Sequence, residues 1–109
     1  MQISFTTRAM QKIANNSKVA VRELGEKNAA KFKQRLLELA AAPSMADIPA
    51  HAGCHLLKGD KKGLYALNLK QPHRLIFQPH CEELPLKEDG GLDLSKVTEI
   101  IIISVEDYH

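Results

Sequence analysis

The stretch Ile100-Ile101-Ile102-Ile103-Ser104-Val105, followed directly by Glu106-Asp107-Tyr108-His109, decides the fold of this chain. The run to Val105 is uncharged and apolar on both faces, which predicts a buried strand in the interior of a sheet. The strand leads into a carboxylate, a phenol and an imidazole, groups that hold and transfer protons. A strand is a rigid support, so side chains at its exit are well suited to a catalytic site.

The rest of the chain is predicted to contain an opening strand, then helices, then further strands. We predict strands at residues 2–5, 54–58, 64–69, 73–78 and 97–105, and helical segments following Thr6 or Thr7, from Ser17 to Gly25, and at 26–41. Thr6 or Thr7 and Ser17 are the expected N-caps, and Pro43 ends the last helix. Residues 79–96 are predicted to form a polar loop. This order predicts an α+β fold, with the N-terminal strand and helices packed on one face of a small, mostly antiparallel sheet.

Length and composition indicate an ordinary soluble protein. A chain of 109 residues is expected to form one domain, residues 1–109, and 44% hydrophobic with 26% charged residues is typical of globular proteins. No basic stretch followed by an apolar run opens the chain, and no stretch is apolar for long enough to span a bilayer. Cys54 and Cys81 form no C-x-x-C pair and fit a reducing compartment. We therefore expect a cytoplasmic protein that is not associated with a membrane.

Charge is unevenly distributed, although the formal net charge is only +2. The middle of the chain is cationic and holds one acid, Asp60; its basic residues are His55, Lys58, Lys61, Lys62, Lys70, His73 and Arg74. Residues 82–93 are acidic. The cationic segment suits phosphate groups, although a solvated hairpin accounts for the same charges. The basic face of the 26–41 helix likewise has two interpretations, which are simple solvation or contact with an RNA backbone or an acidic partner.

Three segments together resemble the RelE/ParE superfamily of bacterial toxins, specifically the HigB type. They are His55-Leu56-Leu57-Lys58-Gly59-Asp60-Lys61-Lys62-Gly63, His73-Arg74-Leu75-Ile76-Phe77 and the terminal Asp107-Tyr108-His109. The resemblance covers nearly the whole chain. It implies a fold like that of small microbial ribonucleases, and the toxin of a type II toxin–antitoxin pair. The connection at 79–96 departs from many HigB-like toxins, in which it is tighter.

The resemblance also implies an activity, partners and a site. The toxin enters the ribosomal A site and cleaves the bound mRNA, and a HigA-like helix-turn-helix antitoxin neutralises it and carries it to the operator DNA. The active-site positions of the family correspond here to His55, Lys58, Asp107, Tyr108 and His109. No metal and no cofactor is implied. Cleavage by attack of the RNA 2′-hydroxyl gives a 2′,3′-cyclic phosphate and a 5′-hydroxyl, and needs a base, an acid and cations near the phosphate.

The residues themselves suggest how these tasks are divided. His109 titrates near neutral pH and is a general base or acid, with Asp107 on the same face of the strand to orient it. Tyr108 points the other way, where it stacks on a base, binds phosphate or packs at an edge. Taken alone, His55 is more often a structural histidine. His55 and Lys58 are three residues apart, and on a flat strand an odd separation puts side chains on opposite faces. They share a site only if the chain bends into the Gly59 turn, and we predict this bend.

The remaining cations are assigned to binding. Lys61 and Lys62 are predicted to contact the RNA backbone. Arg74 is predicted to bind a phosphate through its planar guanidinium, or else to form a surface ion pair with Asp107 or Glu99.

Three other interpretations remain open. A zinc site would use His51, Cys54 and His55 with His80 and Cys81, although the spacing is irregular. A ParE-like toxin would inhibit DNA gyrase by binding and would not need imidazoles. A toxin-like protein without activity would serve as a binding module or co-repressor.

Overall fold

A mixed β-sheet carrying helices on one face forms the part of the chain that the structure describes. The structure is a computed structural model, and it describes residues 1–61 and 63–107, with Asp60 described by its backbone alone. Within these residues the strands are β1 (Gln2–Phe5), β2 (His55–Leu56), β3 (Tyr65–Asn68), β4 (His73–Pro79) and β5 (Glu99–Asp107). The α-helices are α1 (Arg8–Asn15), α2 (Ser17–Leu24) and α3 (Glu26–Ala41).

The strand order β1-β5-β4-β3-β2 places β5 in the interior of the sheet. β1 pairs with β5 in parallel, and the other neighbouring strands are antiparallel. The predicted α+β fold and the interior position of the last strand are therefore confirmed. β5 has a neighbouring strand on each side and a core beneath it, and the apolar run at residues 100–105 suits this buried position.

Short polar residues and a glycine divide the helical region into three. Thr7 caps α1 by accepting a hydrogen bond from the Met10 backbone N–H. Asn16, and not Ser17 as predicted, caps α2, because its side-chain oxygen reaches the first free backbone N–H groups of that helix. Gly25 has φ 81°, a conformation that other residues rarely adopt, and it joins α2 directly to α3. None of the helices in the described residues is long and apolar enough to cross a membrane.

The main core lies between the helices and one face of the sheet. Its buried members include Met10, Phe32, Leu39, Leu67, Leu75, Phe77, Ile100 and Ile102. Phe32 and Leu39 project from the buried stripe of α3 and are almost fully inaccessible. Burial of each such side chain contributes about 1.5–3 kcal/mol to stability, so α3 is held to the sheet mainly by this stripe.

The other face of the sheet, which we call the open face, carries a smaller cluster. Its members are Leu57, Ala66 and Ile76, with Leu64 and Ile103 packed against them. The prediction of a strand at 54–58 was wrong in length, because pairing ends at Leu56. The Leu57 N–H then bonds to Leu64 O at 2.8 Å, and a short 3₁₀ turn runs from Gly59 (φ 74°) to Lys61. The predicted bend is thus present, and its apolar ends fix it to the open face.

A β-bulge in β5 changes which side chains reach the open face. Ile76 pairs with Ser104 but Phe77 pairs with Ile102, so Ile103 is an extra residue on β5. Before the bulge, even-numbered residues such as Ile102 face the helices. After the bulge, odd-numbered residues such as Val105 face them, because the extra residue shifts the alternation by one. Ser104 and Glu106 therefore lie on the open face, and Asp107 lies on the helix-bearing face.

The long connection between β4 and β5 is less loop-like than predicted. Leu86 and Leu92 form an isolated antiparallel bridge, and Leu94–Lys96 form a 3₁₀ turn. Leu92 and Leu94 pack against the main core, as does Cys81 at the start of the segment. Apolar contacts therefore anchor this polar segment to the helix-bearing side of the sheet.

Cys54 is half-buried against the main core, and this burial raises the pKa of its thiol to about 11. In a Cys81→Ser variant, we expect iodoacetamide at pH 8 to alkylate Cys54 about 100-fold more slowly in the folded protein than in guanidinium chloride. The thiolate is the reactive form, and an ordinary thiol has a pKa near 9.0. Mass spectrometry over time measures both rates. Equal rates would show that the thiol is not desolvated.

Candidate functional site

A histidine and an arginine meet on the open face at the end of β2. His55 and Arg74 come from different strands, and His55 Nε2 lies 3.3 Å from Arg74 Nη1. His55 Nδ1 lies 2.9 Å from Gly53 O, an atom that only accepts. The proton therefore sits on Nδ1, and Nε2 is left as an acceptor facing the guanidinium. The two predicted site residues are brought together with the imidazole tautomer fixed.

A lysine and a glutamate join the bend to the end of β5. Lys61 Nζ donates to Glu106 Oε1 at 2.8 Å, and Ser104 Oγ donates to Glu106 Oε2 at 2.7 Å. The side chains of Lys61 and Glu106 are 35% and 32% exposed. The hydrogen bonds from Lys61 and Ser104 hold the pKa of Glu106 below its usual value, although burial opposes this. Glu106 is therefore an anion at neutral pH.

Strand register places both pairs on one surface. His55 is aligned with Ala66, Ile76 and Ser104 across the sheet, and Arg74 lies opposite Glu106 two residues further along. Since alternate residues share a face, these polar groups form a single patch around the small apolar cluster. Fixed cations on a partly exposed face attract an anion such as a phosphate, and an imidazole with an acceptor nitrogen beside them can take up a proton.

The other predicted residues are placed differently. Lys58 is exposed at the start of the bend, and it makes no hydrogen bond or ion pair with other side chains of the described residues. Asp107 is exposed and pairs in register with His73, one position beyond Glu106 and on the opposite face. Lys62, Tyr108 and His109 lie outside the described residues. Their catalytic and binding roles therefore stay predictions, as do those of Lys58 and Asp107.

Glu106 and Ser104 are the residues that sequence reasoning missed. Both were treated as parts of the apolar strand and its exit, and neither belongs to the segments that carry the resemblance. The Ser-x-Glu spacing was a usable signal, because two residues at i and i+2 on a strand share a face. The sequence did not reveal which face, since that depends on the bulge at Ile103.

The zinc alternative would need imidazoles and thiols at one point. His51 instead bonds through Nε2 to Glu38, and His55 faces Arg74. Among the side chains that the structure describes, no three from His, Cys, Asp and Glu come together so that they could hold a metal ion. The two imidazoles proposed as ligands therefore bind different groups in different parts of the chain.

Comparison with known proteins gives structural matches alone. No family model matches the chain, and no curated protein matches its sequence. A solved YoeB/ParE toxin from Agrobacterium tumefaciens has a similar structure, with a TM-score of 0.61 over 100% of both chains at 11% sequence identity. The chain therefore has the fold of this YoeB/ParE toxin.

A second structure shares this toxin fold. It is a YoeB–YefM complex from Staphylococcus aureus, with a TM-score of 0.56 at 16% identity, covering 100% of this chain and 97% of the other. At such identities the likeness concerns the fold. The arrangement of His55, Arg74, Lys61 and Glu106 on the open face is described from this chain's structure alone, and the HigB subtype remains a proposal.

Proposed function

We propose that this chain is the toxin of a type II toxin–antitoxin pair, and that it is a HigB-like, ribosome-dependent endonuclease. In this proposal it cleaves mRNA in the ribosomal A site without a metal or cofactor. The observation that carries the proposal is the patch on the open face, in which the acceptor nitrogen Nε2 of His55 lies 3.3 Å from the guanidinium of Arg74. The toxin fold supports the same assignment.

The charges on the open face match the needs of RNA cleavage. Attack of the 2′-oxygen on phosphorus builds negative charge on the phosphate oxygens, and the bond to the 5′-oxygen then breaks. Arg74 and the ammonium groups of Lys58, Lys61 and Lys62 are proposed to bind those oxygens and the neighbouring backbone. A planar guanidinium suits this task because it donates two parallel hydrogen bonds to one phosphate.

Proton transfer is assigned to the two histidines. His55 Nε2 accepts, so we propose that His55 removes the proton from the 2′-hydroxyl. His109 is proposed as the acid that protonates the leaving 5′-oxygen, because imidazole is the side chain most often used to transfer protons near neutral pH. Asp107 is proposed to orient an imidazole. Tyr108 is proposed to stack on a base or donate to the phosphate.

The partners follow from this assignment. The ribosome and its mRNA are the substrate complex, which places the protein in the cytoplasm. A HigA-like helix-turn-helix antitoxin is proposed to neutralise the chain and to bring it to the operator DNA. The YoeB–YefM complex among the structural neighbours supports an antitoxin as partner.

Induced expression followed by mapping of mRNA ends on ribosomes tests the proposal. Wild type is expected to produce ends at A-site codons that carry 2′,3′-cyclic phosphates. His55→Ala and His109→Ala are each expected to lower cleavage by about 10²- to 10⁴-fold, because each removes one proton-transfer group. Lys18→Ala, a change at an exposed lysine that opens α2, is the matched control and should cleave like wild type. Full toxicity of His109→Ala would remove that residue from the reaction.

Gyrase inhibition is the second candidate, because one structural neighbour is a YoeB/ParE toxin. A supercoiling assay with purified gyrase separates the two functions. Inhibition of supercoiling without any ribosome-dependent cleavage would replace the endonuclease proposal. Absence of both activities and of toxicity would favour the binding-module interpretation.

A further inference from the structure

The anion Glu106 lies within a surface that otherwise suits phosphate, and this requires an explanation. An uncompensated carboxylate beside Arg74 and Lys61 would repel a nucleic acid. Glu106 is nevertheless built into the patch, since each of its oxygens accepts a short hydrogen bond, from Lys61 at 2.8 Å and from Ser104 at 2.7 Å. A carboxylate held at both oxygens has a fixed orientation.

The support for this carboxylate comes from the sheet itself. Ser104 is opposite the fully buried Ile76, and Glu106 is opposite Arg74, so both side chains rise from paired positions of an interior strand. The bulge at Ile103 turns these two residues to the open face. Glu106 is consequently an anchor on an interior strand of the sheet.

Lys61 is held much less firmly by its own segment. It ends the short turn Gly59–Lys61, which is fixed by the bond from Leu64 N to Lys61 O at 3.1 Å and by the contacts of Leu57 and Leu64 with the open face. These contacts fix the backbone of the bend, whereas the long Lys61 side chain loses rotamer entropy when it is ordered.

We propose that Glu106 is a positioning residue that holds the Lys61 ammonium on the open face, ready to bind the phosphate of the RNA. This inference rests on the proposed function and deepens it. An ammonium has three N–H donors, so the bond to Glu106 does not by itself prevent a further bond to a phosphate oxygen. Glu106 lowers the ordering cost before RNA arrives, which is how a site is preorganised.

A double-mutant cycle tests whether Glu106 acts through Lys61. The variants are Glu106→Gln, Lys61→Ala and the combination, with Glu23→Gln as the matched control because Glu23 forms an exposed ion pair with Arg22 on α2. Single-turnover mRNA cleavage on saturating ribosomes is measured for each. We expect Lys61→Ala to lower the rate about 100-fold and Glu106→Gln about tenfold, while the double variant cleaves at the rate of Lys61→Ala alone.

Each other result of the cycle contradicts the inference. If the two effects multiply, Glu106 acts independently of Lys61. If Glu106→Gln cleaves faster than wild type, the carboxylate only repels the substrate. Thermal unfolding excludes a general loss of structure, since removing so exposed a pair is expected to lower the melting temperature by less than about 5 °C.

A measurement without RNA separates this inference from the proposed function. In NMR spectra of protein with ¹⁵N-labelled lysine, the Lys61 ammonium should give a protected signal in wild type and in Glu23→Gln, and should lose it in Glu106→Gln. If wild type cleaves no mRNA but shows this pattern, the endonuclease proposal fails while the positioning of Lys61 stands. A Lys61 signal that persists in Glu106→Gln overturns the inference whatever the activity.

Discussion

Arg74→Ala is expected to lower ribosome-dependent mRNA cleavage by about 10²- to 10³-fold and to abolish toxicity. Arg74 is the guanidinium at the centre of the open-face patch, opposite Glu106 on one side and in contact with His55 Nε2 at 3.3 Å. The change removes a cation aimed at the phosphate and also releases the imidazole that we assign as the base. Both losses act on the same step.

Two controls accompany this variant. Arg22→Ala removes an exposed arginine from α2, outside the sheet, and should leave cleavage unchanged. Arg74→Lys keeps the charge without the planar fork and should give an intermediate rate. Cleavage at the wild-type rate by a folded Arg74→Ala protein would contradict the assignment of the open face as the active surface.

Arg35→Ala is expected to lower the free energy of unfolding by about 3–5 kcal/mol, the largest stability effect that we predict. Arg35 is 4% exposed, and it ties α3 to β3 through a 2.7 Å bond from Nε to Asn68 O. Its Nη1 also donates to Glu38 at 2.8 Å. The alanine variant removes the side-chain donor to Asn68 O and removes a cation from Glu38.

The electrostatics of Glu38 strengthen this expectation. Burial favours its protonated form, but hydrogen bonds from His51, Arg35 and Gln34 outweigh that effect and lower its pKa. Urea unfolding followed by circular dichroism measures the loss in stability. Arg22→Ala, which breaks an exposed pair, should cost less than about 1 kcal/mol. A similarly small loss for Arg35→Ala would show that the bond from Arg35 to Asn68 O is not a tie between α3 and β3.

Local signals in the chain predicted most of the elements. The apolar run at 100–105 gave the interior strand, Thr7 and Gly25 marked helix ends, and the 26–41 helix matches α3. Of the errors, the cap of α2 was a wrong choice between neighbours, and the length of β2 depended on a long-range contact. Asn16 was passed over as the cap in favour of its neighbour Ser17, and the strand at 54–58 was shortened because Leu57 leads into a bend that packs on Ile76.

The candidate site was predicted in part. His55 and Arg74 were chosen from residue type and resemblance, and the fold brings them into contact. Glu106 was overlooked because a carboxylate is an unexpected member of a phosphate-binding surface. Its partner Lys61 lies 45 positions away in the chain, and no local pattern relates residues that far apart.

The sequence alone determined that β5 would be buried, that helices would cover one face of the sheet, and that basic groups would gather near the middle of the chain. These outcomes depend on hydrophobic burial and local propensity, which act over a few residues. Tertiary structure alone decided that Glu106, and not Asp107, faces the open side. A single extra residue, Ile103, shifts the alternation of β5 by one position, and only the pairing with β4 reveals it.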